Sequence, residues 1–424
     1  MIMSRESYDR RAVLKATGGA ATLGLLAGCL GGGDGNGTDG DDGGSTTSTS
    51  GNGGGSSGSN SINIGSVQPL SGGFAPWGQA HSAGLSFAVD EINSNGGVLD
   101  GRNLNIVEAN SESDPAEASS IFDRFAEQND IVAATGPVSS DVGIRTSRTA
   151  QELGIPMVMH MAGSDETITS ETRHSFRLGL LPAATTMQAQ AEFVSDANYQ
   201  NVAAIVGDYA WGRSVKSAIN EHFDVDVNIQ VAPVGASDFS SYIRQISQDV
   251  ELVIASGHPP GSLSISQQLY ELGYNPDVIT GPGLPPTVIR SALGDNATRG
   301  FTHVHMTDVY TDKFAEVAQR FGEQVGEQFD THTSYGYITG KMIAQAIENA
   351  GESNPEAVTE AIRNIEFETL FPEPIQYSEY GELKNQVQLY STLSTEAPPY
   401  HPSGNYSLRE EYRTEPLPAL DPGN

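Results

Sequence analysis

Residues 131–159 of this 424-residue chain, IVAATGPVSSDVGIRTSRTAQELGIPMVM, gather small polar side chains where an anion could be held. Ser139, Ser140 and Asp141 follow the Gly136-Pro137 break, so they fall at the start of a helix. Hydroxyls beside the free N–H groups of a helix N-terminus suit a carboxylate. The same residues also suit a plain capped helix. A second candidate is histidine. His303 and His305 lie two apart on a predicted strand, so both rings face one side, as two metal ligands would. No third ligand stands near them in sequence, and a pair of polar strand histidines is the other reading. His81, His160 and His258 fall near predicted strand ends or loops, each within reach of a ligand there. Enzyme signatures are absent: the chain has no G-x-S-x-G, no Walker A, no H-E-x-x-H and no dinucleotide fingerprint after its first strand.

The elements that must position these residues alternate in type. Ile131–Ala134 is a short apolar run of the kind a buried parallel strand shows. Val142, Thr146, Thr149, Ala150 and Leu153 recur at helical spacing, Gly154 ends that helix, and Met157–Met159 is the next strand. The same rhythm starts with a strand at Ile62–Val67 and a helix from about Gln79 to Asn95. It continues through strands at Leu104–Ala109, Phe176–Leu180, Val202–Val206, Val227–Val231, Leu252–Ala255, Val278–Thr280 and Phe301–Met306. Helices are predicted at Ala184–Ala197, Gly212–Phe223, Phe239–Ser247 and Ser262–Leu272, and residues 311–364 read as mostly helical. Strands alternating with helices predict an α/β protein with doubly wound parallel sheets. Two late strands flank Tyr380-Gly381, and a polar, proline-rich tail after Pro398 is expected to wrap the surface or fray.

Composition excludes some partners. The chain carries 53 acidic against 22 basic residues, a net charge of −31. Only Lys15, Lys216, Lys313, Lys341 and Lys384 are lysines. No basic face remains for phosphates, so nucleic acid is excluded as a partner. The acid is spread along the chain and repels itself unless salt screens it, which at molar ionic strength happens within about 3 Å. The acidic, lysine-poor composition resembles that of proteins from extreme halophiles, and the fold is expected to need salt.

The N-terminus has its own logic. Arg10-Arg11 precedes an apolar segment, Ala16–Ala27, too short to span a bilayer, and this runs into Leu26-Ala27-Gly28-Cys29. The arrangement resembles a twin-arginine export signal followed by a lipoprotein processing site, with Cys29 as the lipid-bearing residue. Cys29 is the only cysteine, which leaves the exported part with no disulfide and no cysteine-based metal or redox site. Residues 30–60 are nearly all Gly, Ser, Thr, Asp and Asn, a flexible tether with a root-mean-square span of roughly 30 Å. Asn36, Asn296 and Asn405 each begin a glycosylation sequon.

The ordered motifs are similar to those of the type I periplasmic-binding family, and within it the branched-chain amino acid group of ABC-transporter solute receptors, here in a halophilic archaeal lipoprotein form. Gly65-Ser66-Val67-Gln68-Pro69-Leu70-Ser71-Gly72 resembles that group's opening strand and loop. Ala88-Val89-Asp90-Glu91-Ile92-Asn93, with Gly96-Gly97-Val98 and Gly101-Arg102, resembles its first helix and turn. Asp114-Pro115, Gly136-Pro137-Val138-Ser139-Ser140, Gly154-Ile155-Pro156, Phe176-Arg177, Asp208-Tyr209-Ala210-Trp211-Gly212 and Asp238-Phe239 follow in the family's order across roughly 62–395.

The resemblance implies two doubly wound parallel-sheet lobes joined by three hinge crossings, near Leu180–Ala183, Met306–Val309 and Leu370–Pro374. Residues 61–181 with 308–370 would form the first lobe and 182–307 with 371–397 the second. Residues 1–29 would be the signal, 30–60 the linker and 398–424 the tail. It further implies a receptor without catalysis, cofactor or metal. Such a receptor would be held by lipid at the outer face of the cell membrane and would hand a small solute to an ABC permease of the branched-chain amino acid type. Ligand would sit between the lobes. Ser139, Ser140 and their turn would take its carboxylate, and Ala162, through its backbone, and Ser164 would form the next loop of the site. Trp77 and Trp211, each in a loop before a glycine, would line the pocket, with Gly257 and Gly283 on loops of the second lobe. One departure bears on the ligand. The group places an acid in the loop that is here Thr280-Gly281-Pro282-Gly283-Leu284, and Gly283 has no side chain. Either Asp208, Asp165 or Glu166 meets a substrate ammonium, or two indole faces hold a cation, or the ligand is no α-amino acid but an amide, urea or carboxylate.

Overall fold

The computed structural model describes residues 61–281 and 283–422. Cys29, the paired arginines, the tether and Asn36 lie outside the described residues.

The first sheet has five parallel strands in the order β2-β1-β3-β4-β5. They are β1 (Ser61–Gln68), β2 (Asn103–Asn110), β3 (Ile131–Gly136), β4 (Met157–Met159) and β5 (Ser175–Arg177). The apolar run of β3 is buried along its whole length, because helices cover both faces of the sheet. The second sheet, also parallel, runs β7-β6-β8-β9, with β6 (Val202–Gly207), β7 (Val227–Ala232), β8 (Leu252–Ser256) and β9 (Val278–Thr280). In each sheet one strand leads outward to one neighbour and its chain then returns to the other side. The strand order therefore reverses between β1 and β3 and again between β6 and β8. Open α/β sheets bind ligands at the carboxyl ends of strands where that reversal occurs.

A third sheet departs from the expected parallel pattern. β10 (Thr302–His305), β11 (Leu389–Ser394) and β12 (Ser407–Arg413) pair antiparallel. Phe301 also bridges Ile279 in parallel, so this sheet abuts the second one. Periodicity cannot distinguish a strand fed by a helix from one fed by a chain returning through the hinge. Residues 398–424, read from sequence as a tail, contribute β12.

Of the helices, four bear on the site: α1 (Ala75–Ser94), α3 (Ser140–Leu153), α5 (Ala210–His222) and α7 (Gly261–Glu271), each following a strand of a parallel sheet. α2 (Pro115–Asn129) and α4 (Ala183–Ala197) flank them, and α6 is a single turn, Ser240–Ile243, shorter than the pattern at Phe239–Ser247 predicted. After α8 (Pro286–Leu293) come α9 (Asp312–Val325), α10 (Thr331–Ala350) and α11 (Pro355–Arg363). α10 packs on α1 with backbones nearly touching, since a side chain on Gly84 would strike the Thr333 carbonyl and one on Gly336 the His81 carbonyl. Where the chain passes between sheets, Asp308 N–H donates to the Leu370 carbonyl at 2.8 Å, tying two crossings together. Arg413, at the end of β12, adds an ion pair to Asp308 at 2.9 Å.

Candidate ligand-binding cleft

The two points of strand reversal face one another. Phe74 and Trp77 follow β1, Val138 and Ser140 follow β3, Tyr209 and Trp211 follow β6, and Pro259 and Ser262 follow β8. With Met161 and Leu180 they line a cavity of about 30 Å3, close to the room one water molecule needs. The lobes are closed on each other, and the cleft is filled by its own rings.

The two tryptophans make this closure reciprocal. Trp77, from the first sheet's side, donates its Nε1–H to the Gly283 carbonyl of the second at 2.7 Å. Trp211, from the second side, lies against Gly163 of the first and donates its Nε1–H to Ser256 Oγ at 2.8 Å. The glycines at both contacts leave no room for a side chain: a Cβ on Gly163 would strike the Trp211 ring, and one on Gly283 would strike the Val304 carbonyl. Further contacts cross the cleft. The Phe74 and His258 rings meet edge-on at 5.1 Å, and the Ser164 and Ser214 hydroxyls are hydrogen-bonded at 3.0 Å.

Both tryptophans, expected in loops, belong to first helical turns. Pro76 lies in the opening of α1, where its fixed φ suits a helix and its missing N–H costs nothing, so α1 begins before Gln79. Trp211 is the second residue of α5. The helix starts at the cavity share a second property. α1, α3, α5 and α7 have Phe74, Ser139, Tyr209 and Pro260 at the N-cap, and none makes a side-chain capping bond. Asp114, Thr311, Asp330 and Asn354 cap α2, α9, α10 and α11, while α4, α6 and α8, which do not line the cavity, also start without a side-chain cap. Four helix N-termini without side-chain caps, each carrying roughly half a positive charge, converge on one small apolar space; at α1 and α7 the first N–H is already taken, Ala75 by the Gly72 carbonyl at 3.2 Å and Gly261 by the His258 carbonyl at 2.6 Å.

Of the residues anticipated from sequence, Trp77, Ser140 and Trp211 line the cavity; Ser139, Ala162, Ser164, Gly257 and Gly283 stand just behind it. Ser139 is buried and gives its carbonyl to Gly143 N–H, while its hydroxyl caps nothing. Ala162 and Ser164 present their carbonyls to Arg177, whose guanidinium is in turn bidentate to Glu382 at 2.6 and 2.8 Å, both side chains fully buried. That pair holds the loop rather than facing solute. The Gly257 carbonyl accepts from Ser262 Oγ at 3.2 Å. Ser140 Oγ accepts from Ser164 N–H at 3.1 Å, and its own proton has no acceptor among the described residues.

The acids considered for a substrate ammonium do not reach the cavity wall. Asp165 accepts from Ala184 N–H at 3.0 Å at the start of α4, and burial holds its carboxyl above the usual range. Asp208 is largely exposed beside Arg213 at 3.6 Å, and Glu166 is exposed. Asp141, half-buried in the first turn of α3, is the carboxylate whose charge is felt at the cleft. Tyr209 is pushed above its ordinary pKa by burial and then by Asp141, while His258 is lowered by burial and partly restored by a hydrogen bond with the Pro259 backbone and then by Asp141.

Beneath the cavity runs a file of histidines: His303 and His305, paired by their spacing in the sequence, His81 and His160, each a single candidate there, and His332, which had no sequence signal. Ring centroids lie 4.5 Å apart for His81–His160, 5.5 Å for His160–His332, 6.3 Å for His332–His303 and 5.1 Å for His303–His305. Trp77 stands edge-on to His332 at 6.3 Å. His303 and His305 do share a face, with stacked rings, but His303 bonds Thr331 and His305 bonds Ser391 and the Thr307 carbonyl. Among the described residues no cluster of three or more His, Cys, Asp or Glu could hold a metal. Burial keeps all five neutral. It pushes His81 and His332 down to about 3 and His305 to about 4, and leaves His160 and His303 well below the ordinary value.

The lining residues missing from the sequence reading are Phe74, Val138, Met161, Leu180, Tyr209, Pro259 and Ser262. Every one lies two to six residues past a strand's carboxyl end, Leu180 being three past β5, so a search of strand ends would have found them.

Comparison with known proteins agrees with this geometry. Residues 61–396 match the family described as Periplasmic binding protein. The Leu/Ile/Val-binding protein BraC3 of Rhizobium johnstonii is 28% identical over 341 residues, covering 77% of this chain and 89% of that one. The leucine-binding protein LivK of Thermotoga maritima has a similar fold, with TM-score 0.71 and 20% identity over 84% of this chain and 99% of that one. So does an ABC-transporter solute-binding protein of R. palustris, solved in complex with benzoate, with TM-score 0.70 and 19% identity over 85% and 97%. Among the described residues no helix is long and apolar enough to cross a membrane. With two parallel-sheet lobes closing on a cavity at their switch points, and similarity to Leu/Ile/Val-binding proteins along most of its length, this chain belongs to the periplasmic binding protein family.

Proposed function

We propose that the protein is an exported receptor, anchored through lipid on Cys29 at the outer face of the cell membrane. It captures a small amphiphilic solute bearing a carboxylate and presents it to an ABC permease of the branched-chain amino acid type. The observation that carries this reading is the meeting of both switch points, with their four helix starts without side-chain caps, in one cavity shared by two lobes. The hinge opens, solute replaces ring–ring contacts between Trp77, Trp211 and their neighbours, and closure removes it from water. Ser140 and the N–H groups of α3 receive its carboxylate. No covalent step is involved. The tether of residues 30–60 gives the receptor reach from the membrane to the permease.

A thermal-shift screen in molar salt, with branched-chain amino acids, amides and carboxylates, tests the reading. A solute at 100 times its dissociation constant stabilises by about 2.7 kcal/mol. A clear shift, with a change in indole fluorescence, supports a receptor; a flat response to every small solute refutes it. For the anchor, Cys29→Ala should leave the protein in the soluble fraction or as unprocessed precursor, and unchanged membrane retention would refute that part. Glycine at 283 favours a second reading, a receptor of the same fold for an amide, urea or carboxylate, in transport or sensing.

A further inference from the structure

We infer that the solute this cleft selects is an apolar carboxylate that carries no ammonium group. The inference rests on the receptor reading and narrows it.

The wall excludes a bulk polar solute. Eight of its ten residues, from Phe74 to Pro259, are aromatic, aliphatic, thioether or proline, and Ser140 and Ser262 supply its hydroxyls. What enters must displace those rings and bury a comparable apolar surface, which stabilises by roughly 25 cal/mol per Å2.

Charge excludes the zwitterion. An ammonium in this cavity would be stripped of water and would face four uncapped helix N-termini, all positive. No carboxylate lines the wall to receive it. Asp165 is committed to α4, and Asp208 and Glu166 are at the surface. At 283 an acid is not merely missing: a Cβ there would lie 2.5 Å from the Val304 carbonyl oxygen and 3.3 Å from the His303 ring, which leaves no volume for one. The same helix ends oppose a cation placed between the indole faces. They favour an anion, however, and Ser140 has a hydroxyl proton left to donate to it. No lysine or arginine lines the wall, so helix ends and hydroxyls are what an anion meets there.

Asp141 decides the alternative. Its carboxylate, outside the wall, either meets an ammonium or repels a bound acid. The experiment is calorimetry on the exported chain in molar salt with matched pairs: leucine against 4-methylpentanoate, and phenylalanine against 3-phenylpropanoate, with benzoate as the compact aromatic acid. At least one ammonium-free acid should bind, and its amino-acid counterpart should bind roughly 100-fold or more weakly, the factor set by an unpaired buried charge. Asp141→Asn should tighten the acid several-fold. Leucine or phenylalanine binding as well as its deaminated partner, or weakening on Asp141→Asn, would overturn the inference and leave the receptor reading intact. If none of the acids, benzoate included, binds, the inference is overturned, and the receptor reading stands or falls separately on the wider thermal-shift screen.

Discussion

The cavity wall and the histidine layer under it lie at the same junction between lobes, yet they are built on opposite terms. In the wall, four helices begin without side-chain caps and eight of the ten side chains are aromatic, aliphatic, thioether or proline. In the layer below, α10 begins under Asp330, whose carboxylate accepts from His332 N–H, Thr333 N–H and Thr333 Oγ1 at 2.8–2.9 Å. The wall has unspent donors and no charge of its own. The layer has most of its donors spent among neighbours and is stable only while its rings stay neutral. The contrast separates what the fold needs for itself from what it leaves for a ligand: open helix ends are costly in a closed protein unless something else completes them.

Acid should break the layer first. Above pH 6.5 the five histidines are neutral in both folded and unfolded chains and contribute no pH dependence. Below it the unfolded chain takes up protons that the folded one refuses, so unfolding free energy falls with pH. Each ring contributes about 1.4 kcal/mol per pH unit. The loss continues to about 4 for His305 and about 3 for His81 and His332. Denaturant titrations in molar salt from pH 7 to 4 would show it, and His332→Gln should reduce the slope by about one proton. A slope that is flat in wild type would mean the file is not neutral.

Asp330→Ala comes next, with an expected loss of about 3 kcal/mol in stability, since three bonds to a buried helix start go at once. In the wall the analogous change should read in affinity instead. Ser140→Ala should weaken an acid ligand by about 1.5 kcal/mol, measured by calorimetry, with circular dichroism unchanged. The smallest effect belongs to Ser139→Ala, below about 0.5 kcal/mol in thermal stability, because a hydroxyl that caps nothing is not missed. Should Ser139→Ala destabilise as Asp330→Ala does, the division between wall and layer would not hold.

Much of this was legible in the residues. Strand–helix alternation gave both parallel sheets because period and punctuation are local. Ser140 was found because a Gly-Pro break before small polar residues marks a helix start wherever it packs. Two kinds of feature were not legible. The antiparallel β10-β11-β12 sheet joins residues about a hundred positions apart, and nothing in an apolar run says which way its partner runs. The histidine file depends on α1, the end of β4, α10 and β10 converging, so His332 looked like any helical residue. Trp77 was placed in the pocket but in a loop, because the helix was read from about Gln79 when it begins at Ala75, with Pro76 in its first turn.

The order in which the chain leaves the ribosome meets an obstacle in the third sheet. β10 is synthesised at residue 302, yet its neighbour begins at 389 and the strand that closes the edge ends at 413. The first lobe waits as well, since α1 near residue 84 has no cover until α10 arrives near 333. Neither half can finish while the other is being made. The nascent polypeptide therefore carries exposed apolar strands for most of its synthesis and completes both lobes together at the end, as long-range topologies must. A truncation that removes β12 should consequently be felt as lost yield from the cell rather than as a lowered melting point of a protein that still folds.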